Sequence, residues 1–211
     1  MNNYNNYQNN CTRYPPPTKE LIELKKKRNE TVYLPLLCSA LTQEAKFNKN
    51  FTNAEWLFNE IMIDYKLREC QERYFTENDE KLFAKSISTM VRYASTPAKA
   101  MHYATLFFKE YNERIRSPSR ELVIFTNLIF AHTNQQSQEN MAMALNITKL
   151  VLQIGVYKMD SSCFQDNTDN QFFADPVEVF TTVTKRVLQH FRLTLSSDKT
   201  ELVPSVRYSD F

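Results

Sequence analysis

Apolar residues recur along most of this chain at intervals of three and four, the spacing that lines one face of an α-helix. Leu21, Ile22 and Leu24 form the apolar side of a first short helix, which Thr18 can cap and which ends near Arg28. Leu34, Leu37, Leu41 and Phe47 mark a second helix over 32–47, with Pro35 in its first turn, where proline is tolerated. Thr52-Asn53-Ala54-Glu55 reads as a capping box. It opens a helix to about residue 72 that carries Trp56, Phe58, Ile61, Met62, Tyr65 and Leu67. A weaker acidic start at Thr76 to Asp79 precedes Leu82, Phe83, Ile87, Met90, Val91 and Ala94.

Three further starts pair a favoured N-cap with proline at the first helical position: Thr96-Pro97, Ser117-Pro118 and Asp175-Pro176. They predict helices over about 97–115, 118–133 and 176–194. Between the last two, 137–159 reads as a long helix with Met141, Ala144, Leu145, Leu150, Val151 and Leu152 as its core stripe and Gly155 near its end. Met141, Met143 and Leu145 offer an adaptable binding surface as the alternative to that stripe. About eight helices follow, joined by connections so short that neighbours run antiparallel. Hairpins near 53–95, 97–133 and 137–194 predict an all-α fold of stacked antiparallel helical hairpins, a HEAT-like α-solenoid, with a bundle as the alternative.

Composition sharpens this. One glycine in 211 residues removes phosphate-cradling loops, dinucleotide fingerprints and nucleophile elbows, all of which need glycine where backbone turns tightly or meets a ligand. It also disfavours tight β-hairpins. Fifteen Phe and eleven Tyr supply a core despite a mean hydropathy of −0.52. Residues 1–17, Asn-rich and then triple-proline, predict a disordered tail ahead of a helical domain at 18–195 and a C-terminal tail at 196–211. Residues 160–174 read as the longest internal loop.

The net charge of +2 is unevenly placed. Arg13, Lys19, Lys25, Lys26, Lys27 and Arg28 stand against Glu20 and Glu23 within residues 12–28, so +4 lies there and −2 on the rest. Direct RNA contact, if made, leans on this arm; the competing reading is a solvated helix end. A second cluster, Lys109, Arg114, Arg116 and Arg120, falls where two predicted helices meet and suits an acidic partner peptide or a phosphate.

Catalytic chemistry finds no foothold. His102, His132 and His190 lie on three different predicted helices, His132 at a helix C-terminus that would favour its imidazolium. Cys11, Cys38, Cys70 and Cys163 form no CxxC pair. No HExxH or paired-carboxylate constellation appears, so no enzyme, no metal site and no cofactor are expected. No run approaches the roughly 18 apolar residues of a membrane helix, and no N-terminal apolar region follows a basic start, so no membrane partner is expected.

The passage Leu106-Phe107-Phe108-Lys109-Glu110-Tyr111-Asn112-Glu113-Arg114, followed by Glu121-Leu122-Val123-Ile124-Phe125-Thr126-Asn127-Leu128-Ile129-Phe130, resembles the third-to-fourth helix passage of the middle domain of eukaryotic translation initiation factor 4G. The likeness extends loosely back over 51–94 and forward to Asn140–Leu145. It is greatest to the small single-domain adaptors, such as the one that binds the histone stem-loop-binding protein. The Asn-rich arm and Tyr14-Pro15-Pro16-Pro17 depart from that pattern. The resemblance implies a non-enzymatic adaptor in mRNA translation or mRNA metabolism, cytoplasmic with the nucleus as an alternative. Its implied partners are RNA-binding proteins or translation initiation factors. Two other readings stand beside it: RNA binding through the basic arm, and a self-assembling structural or viral helical protein, for which a homodimer is the simplest form.

Overall fold

A computed structural model of the chain describes residues 23, 26, 33–70, 75–111, 115–155, 176–196 and 201–205. The expected N-terminal tail, the cap at Thr18 and the 160–174 loop lie outside these. The described chain is all-α apart from one small strand pair: α1 (Tyr33–Thr42), a π-helical turn (Gln43–Asn48), α2 (Phe51–Cys70), α3 (Glu77–Tyr93), α4 (Pro97–Glu110), α5 (Pro118–Thr133), α6 (Gln138–Ile154), α7 (Pro176–His190), β1 (Leu193–Leu195) and β2 (Leu202–Pro204). It divides into two compact units, Met1–Thr89 and Met90–Phe211.

In the first unit α1 packs on α2. Leu34, Leu37, Leu41 and Ile61 are wholly buried, as the helical periodicity predicts, and Leu57, which that reading passed over, is wholly buried with them. Phe83 of α3 meets Tyr65 and Phe75 edge-on at centroid distances of 5.1 and 5.7 Å, and Tyr65 stacks on Phe75 at 5.5 Å. Such geometries add to the area these rings bury. Beside them, Arg68 reaches Asp64 on its own helix (2.9 Å) and Asp79 at the start of α3 (3.1 Å). Asp79 also closes a reciprocal cap with Thr76: its carboxylate accepts from the Thr76 amide (3.0 Å) and hydroxyl (2.7 Å), while the Asp79 amide donates to Thr76 Oγ1 (3.1 Å). The weaker of the two predicted starts is therefore the complete capping box. At the other, Asn50 and not Thr52 is the cap, its side chain accepting from the Asn53 amide at 3.2 Å, because α2 begins two residues earlier than the sequence motif suggests.

The second unit is organised around α5. This helix packs against α4, α6 and α7, and α6 also packs against α7. Ten of the sixteen α5 residues are buried, and at 100° per residue they surround the helix instead of forming one stripe. Thr96, Ser117 and Ser137 cap α4, α5 and α6, accepting from Lys99, Arg120 and Asn140 amides at 3.2, 3.4 and 3.1 Å. Gly155, at φ +73°, closes α6 as its left-handed C-cap.

Two ends differ from the expected ones. α4 stops at Glu110, not 115, because Tyr111 turns extended and is buried beside Phe107, with Ile115 following it into the core. α7 stops at His190, and Arg192 adopts left-handed φ, after which β1 pairs antiparallel with β2, Leu193 opposite Pro204 and Leu195 opposite Leu202. The strands fall on residues read as helix end and C-terminal tail; three residues each are too few for periodicity to declare them.

Phe83→Ala should cost about 3–5 kcal/mol, and Phe47→Ala, at an exposed ring, less than about 0.5 kcal/mol, as measured by urea unfolding of the two variants.

Candidate functional site

The cation cluster predicted between α4 and α5 is used largely by its own hairpin. The Arg116 guanidinium places Nε and Nη2 at 3.2 and 3.1 Å from Glu121 Oε1, donates through Nη1 to the Phe108 carbonyl at 3.3 Å, and lies 5.4 Å from the centre of the Phe108 ring. It thus satisfies a last-turn carbonyl that helix geometry leaves without an intrahelical donor, and joins the end of one helix to the first turn of the next. Arg120 donates to the Ile115 carbonyl at 3.3 Å, holding the turn from the other side. Lys109 is exposed on the last turn of α4, and Arg114 lies outside the described residues. The structure therefore brings Arg116 and Arg120 to the backbone of one turn and leaves Lys109 facing solvent.

Of the basic arm, Lys26 alone is described: it is exposed and paired with Glu23 one turn away. Arg13, Lys19, Lys25, Lys27 and Arg28 lie outside the described residues.

The expected core stripe of α6 divides. Met141, Ala144, Val151 and Leu152 of that stripe are buried and Leu145 is half-buried, whereas Leu150 is 44% exposed, beside Met143 and Ile154, outside the stripe, at 39% and 48%. Spaced seven and four apart, these three project within about 40° of one another, forming an apolar row that borders buried Ile147. The helical period assigns Leu150 to the core because it tolerates an apolar stripe wider than the face a helix buries. Met143 belongs to the adaptable surface that is the alternative to that stripe.

His132 is the other departure. It ends α5 in a buried position, where burial lowers its pKa from the ordinary histidine value against an opposing hydrogen bond from Asn140. Asn140 Nδ2 donates to Gln135 at 3.3 Å, which turns Asn140 Oδ1 toward His132 Nδ1 at 3.2 Å. The proton accordingly sits on Nδ1, and Nε2 is buried without a hydrogen-bonding partner. The imidazolium expected from the helix dipole is disfavoured here, because burial strips water from the charged ring. His190, at the end of α7, instead bonds Gln138 Oε1 through Nε2 at 3.0 Å on the surface.

Cys38 donates to the Leu82 carbonyl at 3.6 Å, and burial raises its thiol pKa to about 12, which suppresses the thiolate that a nucleophile requires. Among the described residues no group of His, Cys, Asp and Glu is arranged to hold a metal ion, and no helix is long and apolar enough to cross a membrane. Set against family models, curated proteins and solved structures, the chain finds no match.

A group whose folded pKa is depressed binds its proton more readily in the unfolded chain, so His132 stabilises the fold fully above the unfolded value of about 6.5 and less as pH falls below it. Thermal melts between pH 8 and 5 should show this loss. In His132→Gln, which retains a donor for Asn140, the decline between pH 7 and 5 should be visibly shallower.

Proposed function

We propose that the chain is a non-enzymatic protein-binding adaptor in mRNA translation or mRNA metabolism, built from stacked helical hairpins of the kind found in initiation factor 4G middle domains. The observation that carries the binding part of this reading is the exposed row Met143, Leu150 and Ile154 on α6. Large apolar side chains aligned on one helix face suit a helix-in-groove partner, read at spacings of three, four and seven. Beyond Glu139 near its start, the only charged residue of α6 is Lys149, also exposed. An amphipathic partner helix with an acidic flank complements that face. Lys109, exposed on the last turn of α4, offers a further cation to an acidic partner. The translational setting rests on the resemblance over 106–130, a passage that in this chain takes in the last turn of α4 and most of α5.

Crosslinked pull-down from cell extract with identification of the recovered proteins tests the reading. RNA-binding proteins or initiation factors should be recovered even after nuclease treatment, and Leu150→Glu, a change at an exposed position, should deplete them by at least about tenfold. Recovery of no mRNA-associated protein, or equal recovery by Leu150→Glu, contradicts it. A mass by light scattering that rises with concentration, and that Leu150→Glu returns to the monomer, would instead seat a second copy of the chain on this row.

A further inference from the structure

The most exposed large apolar side chain among the described residues is Phe47, at 61%, and the chain around it is held in place with unusual care. It lies in the π-helical turn between α1 and α2. π-Helical turns are rare and frequent at functional sites. The turn is closed by Lys49 in the left-handed region, φ +52°, which a residue with a Cβ adopts at a cost. Glu44 organises the whole tip: its carbonyl accepts from the amides of Lys49 and Asn50, the latter at 3.0 Å, and its carboxylate accepts from the side-chain amides of Asn48 (2.9 Å) and Asn53 (3.3 Å). These bonds fix the turn that carries Phe47, so its phenyl ring stands in water on a braced support. Its neighbours at the tip, Lys46, Asn48, Lys49 and Asn50, are all exposed. Lys46 Nζ lies 4.9 Å from the ring centre.

We infer that this tip is a contact for single-stranded nucleic acid, with Phe47 stacking one base while Lys46 and Lys49 neutralise flanking phosphates. Aromatic platforms beside cations are the way proteins hold unpaired bases without reading sequence. A base in a duplex keeps both faces stacked and is not available to the ring. Insertion into an anionic membrane is the competing fate for an exposed Phe between lysines. It is disfavoured because Phe47 stands alone among polar neighbours at the tip, and a single ring offers little apolar area to insert. The tip shares no residue with the basic arm at residues 12–28 or with the α6 row, so its failure leaves the adaptor reading standing.

Fluorescence anisotropy of a labelled oligouridylate with the full chain tests the inference. The unmodified protein should bind, Phe47→Ala should bind about tenfold more weakly, and Phe47→Trp should bind at least as well as the parent. Replacing Lys46 by Gln and Lys49 by Asn, which tolerates left-handed φ, should reduce the slope of log affinity against log salt by about 1.4 for two phosphates. No binding by the parent, equal binding by Phe47→Ala, or equal preference for a duplex overturns the inference. So does Phe47-dependent binding to equimolar phosphatidylcholine and phosphatidylserine vesicles with no affinity for the oligouridylate.

Discussion

Burial of α5 on nearly every side is the constraint on which the second unit depends. A helix so placed cannot rely on water to satisfy its polar groups, and each buried polar residue has a specific answer. Thr126 turns its hydroxyl back to the Leu122 carbonyl at 2.7 Å, and Thr133 does the same to Phe130 at 3.0 Å. Asn127 receives Arg92, from the last turn of α3, at 3.0 Å, and the same guanidinium lies 4.6 Å from the centre of the Phe130 ring. Removing the arginine would take a charged donor from this buried amide and a cation from the face of Phe130. On α5 the His132 Nε2 goes without a partner, and burial disfavours a second proton on that ring.

The ends of the helices are fixed by side chains because glycine is nearly absent. Threonine and serine begin α4, α5 and α6, arginine closes α4 from the following turn, and the single glycine ends α6. Where the backbone still requires positive φ, Lys49, Gln136 and Arg192 supply it despite their Cβ atoms. Each such position stores strain that surrounding bonds must offset, and at Lys49 the Glu44 network does so. The α6 row is the opposite case, exposed apolar side chains on a regular helix to which no described helix is fitted.

Helix starts were the most legible part of the sequence, since a cap needs only one side chain at one offset: Thr96 and Ser117 act where their motifs place them, while Ser137, read as the first residue of its helix, is its cap. Core membership was legible for α1, where Leu34, Leu37 and Leu41 follow the period, and less so for α6, where Leu150 obeys the period yet faces solvent. Thr126, Thr148 and Thr184 are buried although their hydroxyls count as polar in any pattern, because each bonds a carbonyl of its own helix. The arginine cluster was legible as a cluster, not as a staple, since nothing in sequence spacing shows that Arg116 points back to Phe108. The π turn was invisible for a similar reason: one extra residue per turn leaves no periodic trace over six residues. Phe47 was accordingly read as one more apolar position of a regular helix.

Native-state amide hydrogen exchange tests the account at its centre. If α5 is the element around which the second unit closes, its amides should be the slowest in that unit, exchanging only by global unfolding, with α4, α6 and α7 at or below that protection. Exchange from the middle of α5 that is faster than from α6 and α7, through a local opening that leaves those two helices protected, would contradict it.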